Sequence, residues 1–596
     1  MTLWPRAVLI IAPLLSASSP AAEPRPSPAL AALLAEDWQY HLSRSPTYAS
    51  ILGDRRWNDR WDDLSLAGIE ADHRHDVAFL EKLGKATRGK LSEADRLNAD
   101  LVGREHRERI EAHALGLQFL PLNHLRGLPE GTGEFPGVQN AGELASQLRF
   151  TTLEDYRDWV ARLDGFGAYV DQTIALLQEG VRRKMVWPKV TLERIPPQLE
   201  ALLAAAPVAT PFYAPFAHMP ASLPEAERKT LAQTAERLIR EQVQPAYRRL
   251  RDFVVGTYLP AAPAEVGVSR WPDGQRIYQW SVQHFTTTAI TAEQAHQLGL
   301  AEVARIRAAM ESVKARAGFK GTLAEYFQHL RTDPRYFFKT GDELLLHSRD
   351  LAKRIDPKLV RLFGTMPRAP YGVEPTPAAM APDAATGFYY AGAEDGSRAG
   401  TYWVNTYHPE TRPRWEMVPL TLHEAVPGHH LQTSLAAEQR DLPTFRRHLY
   451  HSAFGEGWAL YSETLAGELG LVDQPTDEFG QLVYEMWRAV RLVVDTGMHV
   501  KGWSRARAIQ YFQENTPRTE LDVTNEVDRY IVFPGQALAY KIGQLKIREL
   551  RTRAEKALGP RFDVRAFHDA VLLQGSLPLD VLERRIDAWI AAQKAR

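Results

Sequence analysis

Apolar residues recur at helical spacing through most of this chain, and a sequence so patterned must bury its hydrophobic stripes by packing helix against helix. From about Pro28 to Tyr258 it reads as successive amphipathic helices, Ala94 to Leu117 and Ser222 to Val255 among them, with Pro-rich joints at Pro196-Pro197 and Ala206 to Pro220. There is no internal repeat. Leu259 to Pro272 reads as a further joint, helical periodicity resumes over Thr291 to Arg316, and a Gly-, Pro- and Ala-rich stretch from Pro367 to Gly400 interrupts it. Thr401 to Tyr407 is rich in β-formers and is the predicted strand, after which helical patterns run from Val418 to the C-terminus. The expected fold is mainly α, with a small β element immediately before a cluster of histidines. The expected division is a signal peptide over 1–22, an N-terminal helical region over 23–258 and a C-terminal helical region over 259–596 that carries the cluster.

With 596 residues the chain can bury a large core, and its formal charge of −1 gives no reason to expect nucleic acid or an anionic membrane as a partner. The N-terminus has the form of an export signal: Arg6, an apolar stretch from Ala7 to Leu15, then small residues around Ser19-Pro20-Ala21-Ala22, with cleavage expected near Ala21 or Ala22. That apolar run is far shorter than the roughly 20 residues a spanning helix needs, so no integral membrane segment is expected after cleavage and the location is periplasmic or secreted. No cysteine occurs, which removes disulfides, thiol catalysis, Cys-based metal sites and the lipid-anchored form of such a signal. Gly84 to Leu91 nearly matches a phosphate loop, but Leu91 stands where magnesium needs a hydroxyl and no apolar strand precedes it.

Five of the 19 histidines fall between His423 and His451, in His423-Glu424-Ala425-Val426-Pro427-Gly428-His429-His430 and just beyond it. His-Glu on an apolar helix is the first half of the arrangement in which two histidines hold zinc and the glutamate between them takes a proton from water at the metal. The second histidine normally lies four residues on, where both rings share a face, and Pro427 occupies that position. On an undistorted helix His430 would share the face of His423 but lie roughly 10 Å further along the axis. Pro427 and Gly428 permit a local bulge that brings His429 into the vacant place, so His429 is the favoured ligand and His430 a supporting or substrate contact. A third ligand is expected from Gly455-Glu456-Gly457-Trp458-Ala459-Leu460-Tyr461-Ser462-Glu463, with Glu456 binding the ion and Glu463 orienting a ligand; the intervening helix should end near Asp441-Leu442-Pro443. Satisfied core histidines and surface glutamates are the alternative, and each residue alone would fit it.

The segments HEAVPGHHLQ (His423 to Gln432) and EGWALYSE (Glu456 to Glu463) resemble the signatures of the bacterial DUF885 family, a group regarded as zincin-like. Arg491 to His499, Pro534 to Gly543, Ser45 to Gly53 and Trp61 to Ser65 are similar to further parts of its pattern, so the resemblance spans nearly the whole mature chain. It implies a large helical zincin-like (gluzincin-type) metallopeptidase fold and brings no agreed substrate.

Hydrolysis at zinc develops a negative oxygen that needs a donor besides the metal, and Tyr540, His499 and Tyr530 follow the metal helices, with Arg529 available for a peptide carboxylate. The strand over Trp403 to Tyr407 is a candidate for pairing along its edge with an extended peptide. The expected activity is zinc-dependent hydrolysis of small or unfolded peptides with Glu424 as general base. A metal-dependent amidase or esterase acting on a cell-wall fragment, and a binding protein that keeps the fold without turnover, are the alternatives. A His-His-Glu set also accepts manganese or cobalt.

Overall fold

The computed structural model describes residues 27–125, 137–378, 381, 384–393, 396 and 398–595, so the expected signal peptide lies outside the described residues. The fold is mainly helical. At the N-terminus, α1 (Pro28–Arg44), α2 (Leu66–Ala86) and α3 (Glu93–Ala114) each begin at a serine, Ser27, Ser65 or Ser92, whose hydroxyl accepts a first-turn backbone N–H. The long helix α4 (Leu153–Arg182) opens on a reciprocal Thr152–Asp155 capping box. The helix expected over Ser222 to Val255 divides: Glu225–Leu238 and α5 (Gln244–Phe253) are joined by a π-turn over Ile239–Val243, next to Pro245, which has no N–H to continue the regular ladder.

After α6 (Gly274–Thr286), α7 (Ala292–Arg316) starts at the predicted Thr291, which forms a capping box with Gln294. α8 (Gly341–Ile355) leads into β1 (Tyr371–Pro375), β2 (Gly387–Tyr390) and β3 (Gly400–Val404). These strands form one sheet in the order β1-β3-β2, with β1 parallel and β2 antiparallel to β3. The predicted strand therefore forms over Gly400–Val404 only, with residues 405–407 beyond its end, and it is central. Its two edges are already paired, from Tyr371↔Gly400 to Pro375↔Val404 on one side and from Gly387↔Val404 to Tyr390↔Thr401 on the other. The expectation that this strand offers a free edge to a peptide is corrected: the outer edges belong to β1 and β2, which lie inside the stretch that reads as a Gly-, Pro- and Ala-rich interruption.

The C-terminal half contains α9 (Met417–Glu424), α10 (His429–Ala437), α11 (Ser452–Glu463), α12 (Pro475–His499), α13 (Glu520–Val532) and α14 (Leu538–Leu558). One continuous apolar core runs from Trp61 to Ile590, with a smaller satellite of Leu30, Leu33, Phe79 and Val102 beneath α1–α3. All of α9 is buried, as is α11 apart from the partly covered Glu456. α11 and α14 cross backbone to backbone: a Cβ on Gly457 would lie 2.5 Å from the Cα of Gly543, and one on Gly543 would lie 1.9 Å from the Ala453 carbonyl oxygen. Only glycine fits there, and the crossing sets Tyr540, a turn before Gly543, beside Glu456. Among the described residues no helix is long and apolar enough to cross a membrane.

Candidate metal centre

The helix that carries His423 stops rather than bulging. Ala425 N–H makes the last helical bond, to Thr421, and then leaves helical geometry at φ −95, ψ −109. The chain turns through Val426, Pro427 and Gly428, and a new helix begins at His429. Gly428 packs so tightly on the end of α9 that a Cβ there would sit 1.9 Å from the His423 carbonyl oxygen and 2.4 Å from that of Leu422. Trp458, from α11, donates its indole N–H to the Pro427 carbonyl at 2.8 Å and ties the turn to the next helix. The result is that the rings of His423 and His429 stand 4.8 Å apart at 87°.

Glu456 completes the group. Its Oε2 lies 3.5 Å from Nε2 of His423 and 3.5 Å from Nε2 of His429, and one ligand atom from each of the three lies within 4.8 Å of the others. Ligands bound tetrahedrally at about 2.0–2.1 Å from a zinc ion stand about 3.3–3.4 Å apart, so this spacing suits one ion. Glu456 Oε2 is buried and has no hydrogen-bond partner, the state expected of an atom reserved for a metal. His423 directs its other nitrogen, Nδ1, to Glu463 Oε1 at 2.7 Å, which fixes its tautomer so that Nε2 faces the group. Burial would lower the pKa of His423, but the neighbouring carboxylates of Glu456 and Glu463 outweigh this and raise it to about 9. Burial likewise opposes the ionised form of Glu456, yet the two histidines hold its carboxyl well below the usual range.

Glu424, next to His423, is 9 % exposed, and its pKa is raised, first by burial and only partly offset by the two histidines. Tyr540 is also close: burial and then the charge of Glu456 raise its pKa. A second phenol, Tyr450, has no counterpart in the sequence reading. Burial raises its pKa well above the ordinary value, and the charges of Glu456, Tyr540 and Glu424 act in the same direction. Its ring occupies the space left by Gly455, where a Cβ would meet the hydroxyl at 2.4 Å. The only signal in the sequence is the glycine on each side of Glu456, and that does not point to a tyrosine in the preceding loop.

The other expected site residues are placed elsewhere. His430 faces the sheet: Tyr389 donates to its Nδ1 at 2.9 Å, its Nε2 bonds the Ala369 carbonyl at 3.1 Å, and burial lowers its pKa to about 4. It is 1 % exposed, and with both nitrogens engaged it has no group to offer a substrate. His499 is not brought to the cluster either. The Val268 N–H donates to its Nδ1 at 3.3 Å and its Nε2 donates to the Tyr530 carbonyl at 2.9 Å, so the ring braces backbone instead of serving as an acid. Tyr530 is fully buried; its hydroxyl donates to Glu526 at 2.6 Å and accepts from Arg491 at 2.8 Å, which withdraws it from direct substrate contact. Arg529, by contrast, keeps a partly exposed guanidinium, bonded to Gln536 and Glu526.

Asp37, His41 and His106 also have metal-like spacing. Here the partners close without an ion. His106 lies between Asp76, at 2.7 Å, and Asp37, at 3.2 Å, and the guanidinium of Arg109 bonds both Asp76 and His41 at 3.1 Å. A cavity of about 590 Å³ between α2 and α3, lined by Leu80, Gly84, Lys90 and Arg107, contains the false phosphate loop and none of the candidate residues.

The fold is mainly helical, and comparison with known proteins gives the family. Residues 46–586 match the model of a bacterial protein family of unknown function, DUF885, and the chain belongs to that family. A solved structure from Colwellia psychrerythraea is 30% identical, with a TM-score of 0.85 over 94% of this chain and 99% of that one. Another, from Shewanella oneidensis, is 18% identical with a TM-score of 0.71 over 93% of this chain and 99% of its own, a likeness of fold alone. Both are described as a "putative lipoprotein", the second as "of unknown function". Among curated proteins none matches this chain.

Proposed function

We propose that the chain is an exported metal-dependent peptidase with a zincin-like site, in which His423, His429 and Glu456 hold zinc and Glu424 is the general base. The observation that carries this reading is the Glu456 carboxylate oxygen, buried without a hydrogen-bond partner and 3.5 Å from two histidine nitrogens, beside a second buried carboxylate. A zinc site that only braced the fold would have no use for Glu424. A zinc ion in that group supplies Lewis acidity toward a carbonyl oxygen and eases the ionisation of water. Glu424 accepts a proton at its carboxylate and passes it to the leaving amine, while Tyr540 and Tyr450 offer hydroxyl donors to the oxygen that gains charge. Export is supported by the signal-like N-terminus and by the lipoprotein description of the two similar structures. Because the group is sunk among packed helices, short or unfolded peptides are the expected substrates. Digestion of a mixed peptide library, read by mass spectrometry with and without a chelator, tests the activity. Cleavage that the chelator stops and added zinc restores is the expected result, and cleavage indifferent to the chelator would refute metal dependence.

A further inference from the structure

Two arginines near the centre share a single carboxylate. Arg491 on α12 bonds Glu526 Oε2 through Nη2 at 3.0 Å, and Arg529 on α13 bonds the same oxygen at 3.2 Å. Two guanidiniums on one carboxylate leave a positive charge uncompensated within the pair. Arg491, whose side chain is 3% exposed, also has a buried Nη1 without a hydrogen-bond partner. Arg529 is 22% exposed and offers the accessible side of the pair. The ring of Tyr540 lies 4.2 Å from the Arg491 guanidinium carbon, and the phenol of the same residue feels the charge of Glu456. Tyr540 therefore adjoins both the arginine pair and the metal group.

We propose that Arg529 and Arg491 form the subsite for the free C-terminal carboxylate of a peptide whose scissile carbonyl lies at the His423–His429–Glu456 group, so that the protein shortens peptides from their C-terminal end. The proposal rests on the hydrolase reading and adds the substrate class. A guanidinium fork matches a carboxylate in two parallel bonds, and an arginine pair with one charge in surplus selects an anion over a neutral terminus. A single tyrosine, Tyr540, lies against the pair and next to Glu456, which places the two sites at neighbouring positions along one extended peptide. Water then adds across one amide bond: the acyl carbon takes the oxygen, the nitrogen takes a proton, and a single amino acid or a dipeptide leaves.

The test compares matched peptides with a free acid or an amide at the C-terminus, using the metal-loaded wild-type protein and Arg529→Gln. Wild-type kcat/KM is expected to favour the acid by about 10- to 100-fold, the range set by one charge-assisted hydrogen-bond pair, with products forming a ladder from the C-terminal end. Arg529→Gln should bring the ratio toward one by losing activity on the acid alone, a change that a general loss of folding would not produce. Equal rates on acid and amide, or internal cuts only, would overturn the subsite and leave the hydrolase reading intact. If neither peptide is cut, the hydrolase reading fails and calorimetric binding to Glu424→Gln decides the subsite: acid at least tenfold tighter than amide supports it, and equal affinity overturns it.

Discussion

Replacing Gly428 by alanine should abolish the metal binding proposed for His423, His429 and Glu456 while leaving the helices in place. The added Cβ would stand 1.9 Å from the His423 carbonyl oxygen, and real contacts of this kind essentially never fall below 3.0 Å. The turn must therefore move away from the end of α9 by about 1 Å, and His429 is the next residue. Metal sites accept errors of about 0.2 Å in ligand position, so His429 would be carried out of reach of an ion held by His423 and Glu456. Loss of an outer-shell partner typically weakens metal affinity about 10- to 100-fold, and displacement of a ligand should exceed that range. The assay is competition for zinc against a chromophoric chelator, with circular dichroism to show that the helices persist. Gly467→Ala is the control, because a Cβ at Gly467 meets nothing within 4 Å. A Gly428→Ala protein that holds zinc within threefold of the wild type would refute the argument that this glycine joins the two halves of the site.

Two further outcomes follow from the surroundings of the site. Glu463→Gln exchanges the charged acceptor of the 2.7 Å bond from His423 for a neutral one, and zinc affinity should fall about 10- to 100-fold; unchanged affinity in the same competition assay would show that Glu463 does not orient the ligand. Asp495 is fully buried, and burial raises its pKa to about 7 despite bonds from Tyr278 and Gly535. It ionises near pH 4 in the unfolded chain but only near pH 7 in the folded one, so the stability it contributes is present below pH 4 and is lost as pH rises toward 7. The loss is at most about 4 kcal/mol. Urea unfolding of metal-free wild type and Asp495→Asn across pH 5 to 8 should show a decline in the first that is much reduced in the second, and parallel curves would contradict the assignment.

Much of this site was legible in the sequence because it depends on local chemistry. His423, Glu424, His429 and Glu456 are named by residue type and by the gap that Pro427 forces, and the structure brings the two histidines and Glu456 within reach of one ion. The form of the interruption was not legible: proline and glycine permit a bulge or a complete stop, and the choice depends on Gly428 packing against α9 and on Trp458 holding the turn from a distant helix. β1 and β2 are not legible because Gly372, Pro375 and Gly387 read as breakers, and their pairing with β3 is a tertiary fact. His430, His499 and Tyr530 were reasonable candidates by residue type, but their hydrogen bonds go to Ala369, Val268 and Glu526, and sequence spacing carries no trace of those partners. Tyr450 is illegible for the converse reason, since it lies beside the group on a loop with no periodicity.

Proton transfer by Glu424 at a metal-holding site is tested most directly by Glu424→Gln, measured for metal content and peptide cleavage on the same preparation. Gln keeps the shape of the side chain and none of the three ligands is altered, so metal content should match the wild type while cleavage falls by at least about 100-fold. A metal-loaded Glu424→Gln protein that still cleaves peptides at the wild-type rate would show that Glu424 is not the base.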